Sequence, residues 1–194
     1  ERLAHIQFYT QVEDIIKVGI ARYKDKYFSG RILNSPFVLY EKYSRRDVSL
    51  LMNCGKDLSS IMYGMKRIED DVFIFITYHK EESQDEKKYV EGKPDYADAF
   101  EDDLIFKWDS QIGKGLDSSY MKDVLEAERK HLFVKKSDAE TSFYYMGQFD
   151  VLEARNAQKE DNRGRMQPIT KVTMKMHHAV REDLLRYLQS NITA

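Results

Sequence analysis

The run Val72-Phe-Ile-Phe-Ile-Thr-Tyr-His79 constrains the fold more than any other stretch of the chain. Phe73, Phe75, Thr77 and His79 alternate with Ile74, Ile76 and Tyr78, so a strand here is apolar on both faces. Such a strand belongs in the middle of a sheet that is closed or covered on both sides. Ile61 to Ile68 reads as its hairpin partner, turned at Glu69-Asp70-Asp71. Leu104 to Trp108, His131 to Lys135, Ser142 to Val151 and Met166 to Met176 read as further strands, the second and third paired across the turn at 137–141. Asp117 to Lys130, capped by Asp117 or Ser118, and Val180 to Leu188 read as helices. Ser44 caps a further short helix with Asp47 at the reciprocal position, and Val48, Leu50, Leu51 and Met52 form its expected buried face. Strands interspersed with short helices, without βαβ repetition, predict an α+β fold: a mostly antiparallel, barrel-like sheet flanked by helices.

The N-terminal part has a different pattern. Ile6, Tyr9, Val12, Ile15, Ile16 and Ile20 recur near a 3.6-residue period, which predicts a helix over residues 1–27. Ser29-Gly30 and Asn34-Ser35-Pro36 break the chain after it. The expected organisation is therefore a helical connector over 1–35 and a folded domain over 36–194. A start at Glu1 fits a piece of a longer polypeptide. Residues Lys80 to Asp95 are polar and charged and read as a mobile loop.

Composition excludes several classes. No apolar run is long enough to span a bilayer. A single cysteine, Cys54, cannot close an internal disulfide, which points to a reducing cytoplasm. Net charge is −2, so bulk electrostatics does not by itself imply nucleic acid. The charge is uneven, however. Arg22 to Arg46 holds seven basic residues against Asp25 and Glu41, and Arg155 to Lys175 holds six against Glu160 and Asp161. Glu81 to Asp103 holds ten acidic residues against three lysines. A fold that gathers the two basic stretches on one face could hold phosphates there.

Signatures of catalysis are weak. No glycine-rich phosphate loop, CxxC pair or HExxH helix occurs, and five scattered histidines do not suggest zinc. Asp71 with Glu91-Gly-Lys93 supplies the letters of a metal-dependent nuclease, but Glu91 has no strand around it. The expectation is no catalytic residue, no metal and no cofactor in this chain. The aromatic content is more telling: thirteen Tyr and ten Phe, many beside polar groups. Reading a single base needs flat side chains to sandwich it and a carboxylate or amide aimed at its Watson–Crick edge. A carboxylate suits cytosine, whose N4 amino group is a donor.

Several of these stretches resemble, in order, a domain found at the C-terminus of bacterial helicase-like proteins. They are Leu39-Tyr-Glu-Lys-Tyr-Ser-Arg-Arg-Asp-Val48, Phe75-Ile-Thr-Tyr-His-Lys80, Tyr96-Ala-Asp98, Phe106-Lys-Trp-Asp-Ser-Gln111, His131-Leu-Phe-Val-Lys-Lys-Ser-Asp138 and Phe143-Tyr-Tyr-Met-Gly147. The resemblance is to the domain of SauUSI-like type IV restriction endonucleases that is similar to the SRA (SET and RING-associated) fold, a PUA-like β-barrel. It implies recognition of 5-methyl- or 5-hydroxymethylcytosine in double-stranded DNA by base flipping. It also implies upstream nuclease and helicase domains, with ATP and Mg²⁺ serving the parent protein in phage defence.

Chemical inference then distributes the roles. Tyr78 and Trp108, with Tyr96, would stack on an extruded cytosine; Asp98 or Asp109 would accept from N4; Ser110 and Gln111 would complete the edge. His79, Lys80, Arg45, Arg46, Arg163 and Arg165 would hold the DNA backbone. Each has a plainer alternative: Trp108 as a core plug, Tyr43 to Asp47 as a capped helix start, His79-Lys80 as a strand end. The competing function is a structural or regulatory module that docks on the helicase through the apolar stripe of residues 6–20, without base-specific binding.

Overall fold

A computed structural model describes residues 2–27, 35–79, 98–161 and 163–190. The chain forms two compact units, Glu1–Leu39 and Tyr40–Ala194. The first contains helix α1 (Arg2–Tyr27), on which Ile6, Phe8, Tyr9, Ile15, Ile16, Val18 and Ile20 are all at least half exposed. No helix among the described residues is long and apolar enough to cross a membrane.

The second unit is α+β. Its strands are β1 (Lys42–Tyr43), β2 (Met65–Ile68), β3 (Asp71–His79), β4 (Ala99–Phe100), β5 (Ile105–Asp109), β6 (Arg129–Ser137), β7 (Phe143–Glu160) and β8 (Met166–Met176). They form one sheet ordered β2-β3-β6-β7-β8-β5-β4, with β1 on β7. Every described pairing is antiparallel except β3 with β6. Helices α2 (Arg45–Leu51), α3 (Ser119–Glu126) and α4 (Glu182–Gln189) flank the sheet.

β3 is the interior strand its composition requires. Val72, Ile74, Ile76 and Tyr78 enter one apolar cluster with Phe106, Trp108, Met121, Val124, Leu132, Val134, Phe149, Val172 and Leu184. Both end strands of the sheet, through Met65 of β2 and Phe100 of β4, join that same cluster, so the sheet wraps around one core. On the opposite face Phe73 stacks on His131 at 4.9 Å, and Phe75 stacks on Phe133 at 5.0 Å.

A buried polar chain ties β3, β6 and β7 on that second face. Arg129 donates twice to Asp71, at 2.8 and 2.7 Å; His131 Nε2 lies 2.8 Å from Asp71 Oδ1, and its Nδ1 lies 2.8 Å from the Tyr145 hydroxyl. The Asp71 carboxyl feels burial, which raises its pKa, but His131 and Arg129 outweigh it and hold it at about 2. Burial keeps His131 below the ordinary histidine value. With both oxygens engaged in this way, Asp71 is a structural group and not a metal-ligand in waiting; Glu91 and Lys93 lie outside the described residues.

Local chemistry sets the caps. Ser44 accepts from Asp47 N at 3.1 Å while Asp47 Oδ2 accepts from Ser44 N at 2.8 Å, the reciprocal box expected. The buried face of α2 differs from expectation: Val48 and Ser49 are buried, whereas Leu50 and Leu51 are 61% and 44% exposed. A seven-residue helix has only two turns, and one side of it meets the sheet. Ser118 caps α3. β7 bends where it changes partner, from β6 up to Gln148 to β8 from Phe149 onward. Met146 is the extra residue of a bulge there, and Gly147 takes φ +103°, which a side chain would oppose.

Candidate nucleic-acid interface

Two features of the second unit bear on nucleic acid, one at the end of β5 and one on β7–β8.

Trp108 lies on the inner side of β5, 4% exposed, with its ring centroid 6.4 Å from that of Tyr120 on α3. The Tyr120 hydroxyl is fully buried and has no hydrogen-bond partner among the described residues. Burial, reinforced by the nearby Asp98 carboxylate, raises its pKa above the ordinary tyrosine value, so it stays protonated and able to donate. Asp98 is 8% exposed, and its Oδ1 accepts from Asp109 N at 3.0 Å. Gly64, at φ +72°, passes close by: a Cβ there would stand 2.5 Å from Gln111 Nε2 and 3.4 Å from the Tyr120 hydroxyl. Gln111 Nε2 reaches Tyr63 O at 3.4 Å. The result is an aromatic corner containing an acid, an amide and an unsatisfied hydroxyl.

The sequence-derived pocket set therefore divides. Trp108 and, at Gly64, Gln111 lie close to Tyr120, and the Asp98 carboxylate acts on its hydroxyl. Asp109 turns to the other face of β5, where Lys171 Nζ lies 3.1 and 3.2 Å from its oxygens. Burial raises the Asp109 pKa, Lys171 counters it, and Asp98 adds to it. Ser110 is structural: its hydroxyl donates to Lys114 O at 2.6 Å and accepts from Thr170 N at 2.8 Å. Tyr78, 7% exposed, belongs to the apolar core, where burial raises its pKa and its hydroxyl meets Phe100 backbone and Gln189. Tyr78 and Trp108 both enter the one buried cluster, and the ring found against Trp108 is that of Tyr120. Tyr96 and Lys80 lie outside the described residues.

The expected backbone-holding residues divide as well. The Arg45 guanidinium is inserted among rings, 4.7 Å from Tyr63, 5.1 Å from Phe143 and 5.7 Å from Phe75, and burial lowers its pKa. Arg46 is exposed, 3.6 Å from Asp57. His79 is buried with Nε2 2.7 Å from Leu188 O, so it anchors α4 instead of facing solvent. Lys42 pairs with Glu140 at 2.7 Å. The described basic residues from 42 to 46 are thus spent on internal contacts or a surface pair.

Arg163 and Arg165 are exposed at the tip of the β7–β8 hairpin. Arg155, Lys159 and Lys171 follow on one face of that hairpin, since Arg155 pairs in register with Lys171 and Lys159 with Gln167. Tyr120, Gly64 and the extension of β7 to Glu160 are the parts the sequence reading missed. Tyr120 sits two residues after its Ser118 cap, a position that a helix pattern scored for burial passes over.

The chain matches the family described as Domain of unknown function (DUF3427) over residues 37–188, and it belongs to that family. No curated protein matches it. Among solved structures it is similar to the MspJI restriction endonuclease in complex with a 27-mer oligonucleotide, at 10% identity and TM-score 0.37, covering 60% of this chain and 37% of that one. It is also similar to the sulfur-binding and SRA domains of ScoMcrA complexed with phosphorothioated DNA, at 9% identity and TM-score 0.41, covering 79% and 45%. A third is Arabidopsis thaliana SUVH6 in complex with SAM, at 11% identity and TM-score 0.41, covering 91% and 33%. The chain spans less than half the length of each of these structures.

Proposed function

We propose that this chain is the target-recognition domain of an ATP-dependent type IV restriction endonuclease, binding double-stranded DNA that carries 5-methyl- or 5-hydroxymethylcytosine. The observation that carries this reading is the Tyr120 hydroxyl, buried without a partner among the described residues, close to Gln111 and the Trp108 ring and within the field of the Asp98 carboxylate. Buried polar groups are nearly always paired, so an orphan in an aromatic corner marks a place that another molecule completes. A flipped cytosine fits that chemistry. Its N4 amino group suits a carboxylate, its N3 and O2 suit a hydroxyl or amide donor, and its ring suits flat neighbours.

The energetics are consistent with a reader. Extruding the base costs a few kcal/mol, and each stacking contact returns about 1–3 kcal/mol. A methyl group adds only about 0.8 kcal/mol by burial. Discrimination by one such group is therefore at most about 1–3 kcal/mol, and contacts to the duplex supply the remaining affinity. The ordered motifs described above support the SRA-like, SauUSI-like assignment. On that reading nuclease and helicase domains precede this one, and ATP and Mg²⁺ act there. Cleavage is not expected of this chain alone.

The test is a titration of methylated, hydroxymethylated and plain duplexes at several salt concentrations. Tighter binding of a modified duplex, by up to about 100-fold, supports the reading; equal affinities at every salt refute it. A second reading, a docking module for the helicase without base-specific binding, draws on the exposed apolar residues of α1. Crosslinking to a photoreactive modified-cytosine probe separates the two, since only a reader is labelled near Tyr120 or Trp108.

A further inference from the structure

β7 and β8 pair from Phe149↔Met176 to Glu160↔Met166, but β5 accompanies β8 only from Lys175 to Lys171, and β6 leaves β7 at Gln148. Asn156–Glu160 and Met166–Thr170 therefore run on as a two-stranded ribbon, five register pairs and roughly 17 Å long. Segment 110–116 touches it only as far as Pro168, through Gly113 N to Pro168 O at 2.9 Å. Residues 154–175 carry six basic side chains against two acidic ones, in a chain whose net charge is −2. Met166 is 59% exposed beside the tip.

One carboxylate braces the tip, beside the backbone bonds from Asp161 N to Arg165 O at 2.8 Å and from Gly164 N to Asp161 O at 2.9 Å. Asp161 Oδ1 accepts from Arg163 N at 2.9 Å and Arg165 N at 3.0 Å; its Oδ2 accepts from Arg165 Nε at 3.0 Å and Gln167 Nε2 at 3.2 Å. Gly164, at φ +75°, allows the turn. Arg165 is thereby neutralised, whereas no ion pair to Arg163 occurs among the described residues.

We propose that this ribbon enters a groove of duplex DNA, with its turn preset by Asp161 so that Arg163 meets the phosphate backbone and Arg155 and Lys159 follow along one face. The major groove, about 12 Å wide, admits a two-stranded ribbon. The proposal rests on the DNA-binding reading above and names the element that grips.

Charge and geometry make opposite demands at Asp161, which gives a sharp test. Asp161→Asn removes a negative charge, so attraction alone would tighten binding. Loss of a preset turn weakens it. Binding of the full chain to an unmodified duplex of about 20 base pairs is measured by fluorescence anisotropy across a salt series, with thermal melts to verify folding. The expected result is at least about threefold weaker binding for Asp161→Asn. Arg163→Ala, at an exposed position, is expected to lower the slope of log K against log salt by about 0.9. Asp161→Asn binding as tightly as the parent or tighter overturns the proposal, and so does an unchanged slope in Arg163→Ala. The unmodified probe keeps this separate from base reading: failure of the arm leaves the modified-to-plain ratio intact, whereas failure of the pocket abolishes that ratio and leaves the arm effects standing.

Discussion

Replacing Tyr120 with phenylalanine deletes one oxygen and keeps the ring beside Trp108. Among the described residues that oxygen is buried and unpaired, and an unsatisfied buried group costs about 1–3 kcal/mol. Phenylalanine relieves this cost, so Tyr120→Phe is expected to stabilise the protein by a comparable amount. For a chain of this size that corresponds to a rise in Tm of roughly 2–10 °C. The same oxygen is the donor offered to a base, so the variant should lose discrimination between modified and plain DNA while gaining stability. Urea unfolding and thermal melts measure the first effect, and anisotropy titration the second. A destabilised variant would refute the reasoning, because the hydroxyl must then bond something within the fold. A stabilised variant with unaltered discrimination would remove Tyr120 from the base site.

Other substitutions test the surrounding framework. Asp71→Asn breaks the bidentate pair with Arg129 inside a buried chain and should cost about 3–5 kcal/mol in urea unfolding. The Asp71 carboxyl titrates lower in the fold than in the unfolded chain, so its contribution is present above pH 4 and is lost as pH falls toward 2. That amounts to about 2 kcal/mol, and acid titration followed by circular dichroism should show this part of the acid transition missing in Asp71→Asn. His131, held below its ordinary value, makes the unfolded state the better proton acceptor, so stability should already decline below about pH 6.5, a decline that His131→Gln removes. Trp108→Ala should cost about 3–5 kcal/mol and behave first as a core lesion in thermal melts. Gly64→Ala, strained by its positive φ, should cost about 1–2 kcal/mol and push Gln111 aside, visible as weakened modified-DNA binding.

The framework was legible where burial writes a period. β3, β8, the β6–β7 hairpin and the caps at Ser44 and Ser118 follow from alternation and cap chemistry, and the structure has them within a few residues. The second half of β7 was not legible. Leu152 to Glu160 is mostly exposed, so no apolar alternation marks it, and pairing to β8 alone makes it a strand. The pocket was half legible for a related reason. An aromatic residue in a strand carries the same period whether it walls a cavity or plugs a core, and Tyr78 does the latter. Arg45 was expected on the DNA backbone as part of a basic stretch, whereas the rings of Tyr63, Phe75 and Phe143 gather its guanidinium. Tyr120 had no signal of its own; its significance lies in a buried hydroxyl without a partner among the described residues, which only the packed fold reveals.

The parallel join between β3 and β6 has a consequence for how the domain can be handled. Its partners Asp71 and Arg129 are 58 residues apart, and the intervening chain builds β4, β5 and α3 on the way. A cut anywhere in that interval leaves one piece with the most apolar strand bared along a full edge, and such an edge recruits foreign strands. Expression boundaries placed inside this interval should yield insoluble material. The same non-local closure should make refolding slow relative to a meander of equal size, because a loop of 58 residues must close before β3 has both neighbours.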